Sequence, residues 1–192
     1  METKKIASKK ICAIKITPYL AEYAQKKFRA SSLTGAVRFP PTSDIYHCVL
    51  ENMQRAPAVA QPRMAPACVI PNSSPDKTSP GILLISLPSP RPSSFEGPWK
   101  DPSRYNYLSS EAARAIETCL RREFNFEFHR VMMENEEKGH PRRNIDVVED
   151  FIREYRLTAI STDALLKNYY RYRDLVRPKQ RRRYSHNTLR RR

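Results

Sequence analysis

Four side chains that can donate hydrogen bonds lie close together near the carboxyl end of the sequence: Lys167, Asn168, Tyr170 and Arg171. On a helix successive residues are about 100° apart, so Lys167, Tyr170 and Arg171 share one face and Asn168 lies at its edge. Lysine and arginine pair with the acceptors of guanine, and asparagine pairs with adenine. The spacing predicts a helical face that reads DNA. A solvated charged face, which any helical hairpin on a basic protein can show, is the alternative.

This helix is the second of two amphipathic helices predicted within residues 145–177. The first has apolar residues at helical spacing: Ile145, Val148, Phe151, Ile152 and Tyr155. In the second, the stripe predicted to pack against the first is formed by Leu165, Tyr169, Tyr172 and Val176. Ser161 can cap its first turn. A supporting helix, a tight turn and a basic second helix are typical of a helix-turn-helix, although this turn lacks the frequent glycine.

The charge of the chain favours a polyanionic partner. Lys and Arg number 35 against 20 Asp and Glu, a net charge of +15. The ends carry the excess, with eight basic and two acidic residues in 1–29 and fifteen and six in 142–192. Such clusters gain affinity by releasing counterions from a phosphate backbone. An anionic membrane surface would compete, but no apolar run predicts a spanning helix or a signal peptide. We therefore expect a cytoplasmic protein without a membrane partner.

Two further groups of cations are candidates for phosphate contacts. Residues 178–192 contain no acid and too few apolar residues to form a core, so a disordered arginine-rich tail that follows the DNA backbone is predicted. A merely solvated tail is the alternative. The tail contacts are predicted at Arg177, Lys179, Arg181, Arg182 and Arg183. Lys26 and Lys27, at the end of a predicted helix, form the second group, or simply a solvated helix end.

The element pattern predicts an α+β fold with a small three-stranded sheet. The strands are expected near residues 11–16, 37–39 and 81–87, with 81–87 central because its apolar run is uninterrupted. A proline-rich loop is predicted at 56–80 and one long helix at 109–138. The chain is thus divided into an α+β region at 1–108, a helical region at 109–177 and the disordered tail at 178–192.

Candidates for catalysis are weak. Asp44 with His47, or Glu123 and Glu127 with His129, can be drawn as acid clusters of a metal-dependent nuclease. Acids three or four residues apart on a helix are more often paired with neighbouring arginines. Phosphate-loop, nucleophile-elbow and zinc-ligand motifs are absent from the sequence. The cysteines show no ligand spacing, so free thiols are expected. We predict a non-enzymatic protein without metal or cofactor.

Three segments resemble small basic proteins of prophages and mobile elements in Bacteroides-like bacteria: 42–47 (TSDIYH), 105–109 (YNYLS) and 163–173 (DALLKNYYRYR). The resemblance implies a mobile-element setting and DNA handling, and it transfers no site residue. We therefore expect a DNA-binding protein, either a transcriptional regulator or a recombination or replication accessory, with duplex DNA favoured. The alternatives are an RNA-binding protein and an interaction protein whose basic ends bind an acidic partner.

Overall fold

A computed structural model of the chain describes residues 11–56, 81–88 and 100–177. In these ranges the chain mixes strands with helices, as the sequence predicts, and it has two strands and five helices. In chain order they are β1 (Ile11–Lys15), α1 (Pro18–Lys27), α2 (Asp44–Asn52), β2 (Ile82–Ser86), α3 (Ser110–Glu137), α4 (Asn144–Tyr155) and α5 (Thr162–Val176). The predicted tail at 178–192 and nearly all of the predicted loop at 56–80 lie outside the described residues.

The sheet of the described chain has two strands, so the predicted third strand is not confirmed. β1 and β2 pair antiparallel, from Ile11 opposite Ser86 to Lys15 opposite Ile82. Val37 adds one parallel bridge, in which its N–H donates to the Leu84 carbonyl at 2.8 Å and its carbonyl accepts from Ser86 N–H at 2.8 Å. The next rung would need an N–H from Pro88, which has none. On the other side, the N–H of Gly35 is already bonded to the Ser31 carbonyl.

β2 pairs with β1 along its whole length, and on its other side it has the single bridge to Val37. Its inner face is apolar because alternate side chains of a strand point the same way. The inward residues of the sheet are Cys12, Ile14, Ile16, Leu83, Ile85 and Leu87, all buried. Gly81 precedes β2 with φ +94°, and a Cβ there would lie 2.7 Å from the Ile16 carbonyl oxygen. Only glycine fits this position.

The long helix α3 is the element around which the rest packs, since it contacts β1, α1, α2, α4 and α5. Ser109 caps it by accepting a hydrogen bond from the Ala112 N–H at 3.1 Å. Its buried face repeats every third or fourth residue: Ala112, Ile116, Leu120, Phe124, Phe128 and Met132. The alternating Phe124–Asn125–Phe126–Glu127–Phe128 run is helical, as the four-residue series predicts.

α4 and α5 form a helical hairpin, and α1 holds its connection in place. The carboxylate of Glu22 accepts hydrogen bonds from the N–H groups of Thr158 and Ala159 at 2.8 and 3.2 Å, and from the Thr158 hydroxyl. Ser161 caps α5, as predicted, by accepting from the Ala164 N–H. The connection, residues 156–161, is longer than the roughly three- to four-residue turn of a helix-turn-helix. The predicted helix-turn-helix is therefore not confirmed.

Replacing Glu22 with alanine should lower the free energy of unfolding by about 1 to 2 kcal/mol, because the turn loses a charged acceptor for two backbone donors. Urea unfolding at pH 7 measures this loss. Glu149→Ala is the matched control, since the Glu149 side chain is exposed on α4. Equal stabilities of the two variants would show that Glu22 does not hold the connection.

Candidate nucleic-acid interface

The outer face of α5 is formed by Lys167, Tyr170 and Arg171, all exposed. It lies opposite Leu165 and Tyr169, which are fully buried. Lys167 and Arg171 are one helical turn apart, and within the described ranges neither forms an ion pair. The exposure predicted for these three side chains is thus confirmed. The two cations remain available to an external anion.

Asn168, predicted to belong to this face, is turned toward α3. Its Oδ1 lies 2.6 Å from His129 Nε2, and its Nδ2 donates to Asn125 Oδ1 at 3.3 Å. The His129 ring also stacks on Tyr172, with ring centroids 3.9 Å apart. Burial lowers the pKa of His129, and the bond to Asn168 only partly offsets this. Because its amide is engaged inside the protein, Asn168 is better placed to dock α5 than to contact adenine.

The helix α5 packs against α4, and two residues of its inward stripe also contact α3. The Tyr169 hydroxyl donates to Glu136, near the end of α3, and Tyr172 covers His129. Val176 is 51% exposed, so its predicted burial is wrong. It lies in the last turn of α5.

Arg177, a predicted phosphate contact, is ion-paired inside the chain. Its Nη1 lies 3.2 Å from Glu136 Oε1 and its Nη2 lies 4.0 Å from Glu137 Oε1. The hydrogen bond from Tyr169, more than the charge of Arg177, holds the pKa of Glu136 below its usual value. Arg177 thus connects the end of α5 to the end of α3, and a phosphate would have to displace these two glutamates.

Tyr170 is held at the edge of the outer face by Arg173. The Arg173 guanidinium lies 4.9 Å from the centroid of the Tyr170 ring, a cation–π distance. Arg173 is half-buried beside the stripe, as its helical position predicts. One side of the Tyr170 ring is therefore occupied, and the hydroxyl edge remains for contacts outside the protein.

An open groove of about 420 Å³ separates Tyr170 from the start of α4. It is lined by His140, Arg142, Arg143, Asn144, Ile145, Leu166 and Tyr170. Arg143 donates twice to Asp146, at 3.0 and 2.8 Å, and Arg142 is paired with Asp150 at 2.5 Å. Neither arginine is among the predicted site residues. The available signal was the Arg-Arg pair directly before the predicted helix pair.

Lys27 is part of an internal polar cluster and not a surface cation. Its Nζ lies 2.8 Å from Glu123, 2.7 Å from Glu127 and 3.0 Å from the Tyr23 hydroxyl, which itself donates to Glu127. Burial opposes the charge of Lys27, yet the bonds to both glutamates outweigh it and raise the pKa of Lys27. A phosphate would have to displace two carboxylates, so the predicted phosphate contact does not suit this side chain.

The other predicted cations lie elsewhere or outside the described residues. Lys26 is exposed at the end of α1, and the described parts of α1 and α5 do not touch. Lys26 is thus separate from the α5 face. Lys179, Arg181, Arg182 and Arg183 lie in the undescribed segment after Arg177.

The residues considered for a nuclease are dispersed. Glu123 and Glu127 bind Lys27, while His129 faces α5. Asp44 and Glu123 share an opening of about 220 Å³ between α2 and α3, but Arg122 also lines it. Across residues 11–56, 81–88 and 100–177, no three His, Cys, Asp or Glu side chains are grouped so that they can hold a metal ion.

No family model matches this chain, and neither a curated protein nor a solved structure is significantly similar to it. None of the helices in the described ranges is both long enough and apolar enough to cross a membrane.

Proposed function

We propose that the protein binds duplex DNA without catalysing a reaction, through the outer face of α5. One observation carries this proposal. Lys167 and Arg171 are exposed one turn apart on α5, and neither forms an ion pair with a described residue. A cation that has no internal partner gains most from a phosphate, because no existing ion pair must be broken.

The way in which α5 packs against its neighbours supports a role in DNA recognition. The bonds of Tyr169 and Asn168 hold the helix against α3, and the helix also packs on α4, so its outer side chains are presented in a defined order. A helix of this width enters the major groove of B-DNA. In this arrangement α4 acts as the supporting helix and α5 as the reading helix of a helix-turn-helix-like pair. Arg171 is placed to contact guanine, and Lys167 a phosphate.

The sequence that follows α5 extends the basic surface. Residues 178–192 contain seven basic and no acidic residues. Their proposed role is sequence-independent contact with phosphates, chiefly through Lys179, Arg181, Arg182 and Arg183. A transcriptional regulator or a recombination or replication accessory of a mobile element, acting in the cytoplasm, would use such a surface.

Lys167→Gln with Arg171→Gln tests the proposal. Fluorescence anisotropy with a labelled duplex should show roughly 10- to 100-fold weaker binding near 0.1 M salt, because two cations leave the interface. The slope of log K against log salt should become shallower by up to about 1.8, at about 0.9 for each lost phosphate contact.

The matched control is Arg104→Gln with Arg114→Gln, which removes the same charge from exposed positions elsewhere. Arg114 lies fifteen residues before His129 on α3, about 22 Å along the helix axis. If both double variants lost the same duplex affinity, binding would depend on the total charge of the protein and not on the outer face of α5. Tighter binding to single-stranded RNA than to duplex DNA would favour the RNA alternative, and equal binding to polyglutamate would favour an acidic protein partner.

Arg171→Ala separates base reading from phosphate contact. On a duplex enriched by selection it should cost about 1 to 3 kcal/mol, and on random duplex much less, if Arg171 makes a bidentate contact with guanine. Arg173→Ala is the control, because Arg173 stacks on Tyr170 and should change sequence preference little. Equal losses for Arg171→Ala on both duplexes would reduce Arg171 to a phosphate contact.

A further inference from the structure

The two flanks of α5 differ in what lies beside them. On one flank Asn168 is bonded to His129 and Asn125, so α3 lies beside that flank. On the other flank Leu166 and Tyr170 line the open groove of about 420 Å³ at the start of α4. Tyr170 also belongs to the outer face of α5, so the groove is continuous with the face proposed to read DNA. A molecule that lies on that face can extend into the groove.

The groove is lined by both apolar and basic side chains. Ile145 and Tyr170 are exposed there, although large apolar side chains are more often buried. The basic side chains are His140, Arg142 and Arg143. A molecule that fits the groove therefore has an apolar part next to a negative charge. The segment 178–192 has seven basic and no acidic residues, so its charge does not suit the groove.

Buried Asn135 of α3 fixes the segment that carries the two arginines. Its Nδ2 donates to the Arg142 carbonyl at 3.0 Å and to Asn144 Oδ1 at 3.3 Å. Its own carbonyl accepts a hydrogen bond from the His140 N–H at 2.9 Å. The backbone of residues 140–144 is thus held in place by the fold, so little ordering of this segment is needed when a ligand binds.

Both arginines can turn toward a phosphate at little cost. Arg143 uses Nε and Nη2 to contact Asp146, and a guanidinium carries more N–H donors than these two bonds use. Its side chain is 81% exposed, and that of Arg142 is 52% exposed. The partner acids Asp146 and Asp150 are also partly exposed, and ion pairs between exposed side chains contribute little to stability. Arg177, by contrast, is paired with an acid that is only 17% exposed.

We propose that this groove binds the sugar–phosphate backbone of one DNA strand while α5 lies in the major groove. The inference rests on the proposed function and adds a second contact to it. The major groove is about 12 Å wide and a helix with its side chains about 10 to 12 Å, so a strand runs along each flank of an inserted helix. Arg142 and Arg143 contact phosphate oxygens, and Ile145 and Tyr170 pack against deoxyribose. A DNA strand supplies both partners at every nucleotide.

Arg142→Gln with Arg143→Gln in the full chain tests the groove. Duplex affinity near 0.1 M salt should fall roughly 10-fold, and the slope of log K against log salt should become shallower by up to about 1.8. Arg153→Gln with Arg156→Gln is the matched control. Both are exposed on the far part of α4 or just after it, and Arg153 also pairs with Asp150. Arg153 lies nine residues after the start of α4, about 14 Å along its axis. The control should lose much less affinity.

Neutral phosphates locate the contact on the DNA. Methylphosphonates, which remove the charge of one phosphate, are placed one at a time along each strand of a duplex enriched by selection. Wild type should lose affinity at neighbouring phosphates of one strand that the Arg142→Gln, Arg143→Gln variant no longer senses, because the two changes remove the same contact. Lys167→Gln with Arg171→Gln should still sense them. Full sensitivity of the groove variant at every phosphate would overturn the inference.

The outcomes separate this inference from the proposed function. If Lys167→Gln with Arg171→Gln weakens binding but the groove variant matches its control, the α5 face stands and the groove contact is refuted. If the groove variant weakens binding and the α5 variant does not, the groove contact stands and the α5 face is refuted. Absence of duplex binding by the wild type refutes both. Loss of polyglutamate binding equal to the loss of duplex binding in the groove variant would assign the groove to an acidic protein segment instead.

Discussion

Phe124→Ala should lower the free energy of unfolding by about 3 to 5 kcal/mol, the range for truncating a buried phenylalanine. Phe124 is buried in the middle of α3, and its ring meets aromatic rings of both flanking helices. The centroid distances are 5.2 Å to Tyr19 and 5.1 Å to Tyr23 on α1, and 5.7 Å to Phe151 on α4. Truncation leaves a cavity where three helices join, and rigid aromatic neighbours cannot collapse into it fully.

Urea unfolding followed by circular dichroism measures this effect, with Phe124→Leu as a milder variant that keeps the chain folded. Phe126→Ala is the control on the same helix. Phe126 is 68% exposed, so its truncation should change stability by less than about 0.5 kcal/mol. If both alanine variants lost the same stability, α3 would not be the centre of the core.

The parts of the fold that sequence predicts are those with a local signal. Apolar spacing gave α3 nearly to its ends, and Ser43, Ser109 and Ser161 cap the helices that follow them. The uninterrupted apolar run predicted the strand β2. Each of these signals lies within a few residues of the structure it determines, so a single sequence is enough.

The predicted third strand is not confirmed, and the reason lies in the sequence of the strand that it would pair with. Residues 37–39 have strand composition, but pairing beyond Val37 requires a donor at position 88, where proline stands. No local pattern around Val37 shows which residue will face it. The central position of α3 also depends on contacts between segments that are distant in the sequence. Helical periodicity predicts that α3 has a buried face, but not which elements pack against it.

The candidate interface divides in the same way. Periodicity placed Lys167, Tyr170 and Arg171 outward because a helix with one buried stripe must expose its opposite side. Whether a residue at the edge of this face points outward depends on its tertiary contacts. Asn168 is hydrogen-bonded to His129 and Asn125, and Arg177 is ion-paired with Glu136. Angular position on a helix defines two faces well but does not say which flank meets a neighbour.

Lys27→Met should cost about 2 to 3 kcal/mol, because it keeps the packed stem and removes the ammonium that neutralises two carboxylates. Glu127 is the decisive partner, with 16% of its side chain exposed against 22% for Lys27. Without Lys27 it keeps only hydroxyl donors, chiefly Tyr23. Lys26→Met, at the neighbouring exposed position, is the control and should be nearly neutral in urea unfolding.

The pH dependence identifies the lost interaction. Burial alone would raise the pKa of Glu127, but bonds from Lys27 and Tyr23 hold it below its ordinary value of 4.5. The unfolded chain therefore binds more protons on acidification, so this stabilisation is present above about pH 4.5 and is lost as pH falls through the lowered pKa. The pKa of Lys27 is raised above 10.5, so its share is lost only in strong alkali.

The stability difference between wild type and Lys27→Met should therefore be largest between about pH 5 and 10 and should shrink toward pH 3. Duplex affinity, measured at a temperature where both proteins are folded, should be unchanged, because the lost charge faces α3 and not solvent. If Lys27→Met kept full stability but bound duplex DNA more weakly, this assignment would be contradicted and Lys27 would be a phosphate contact.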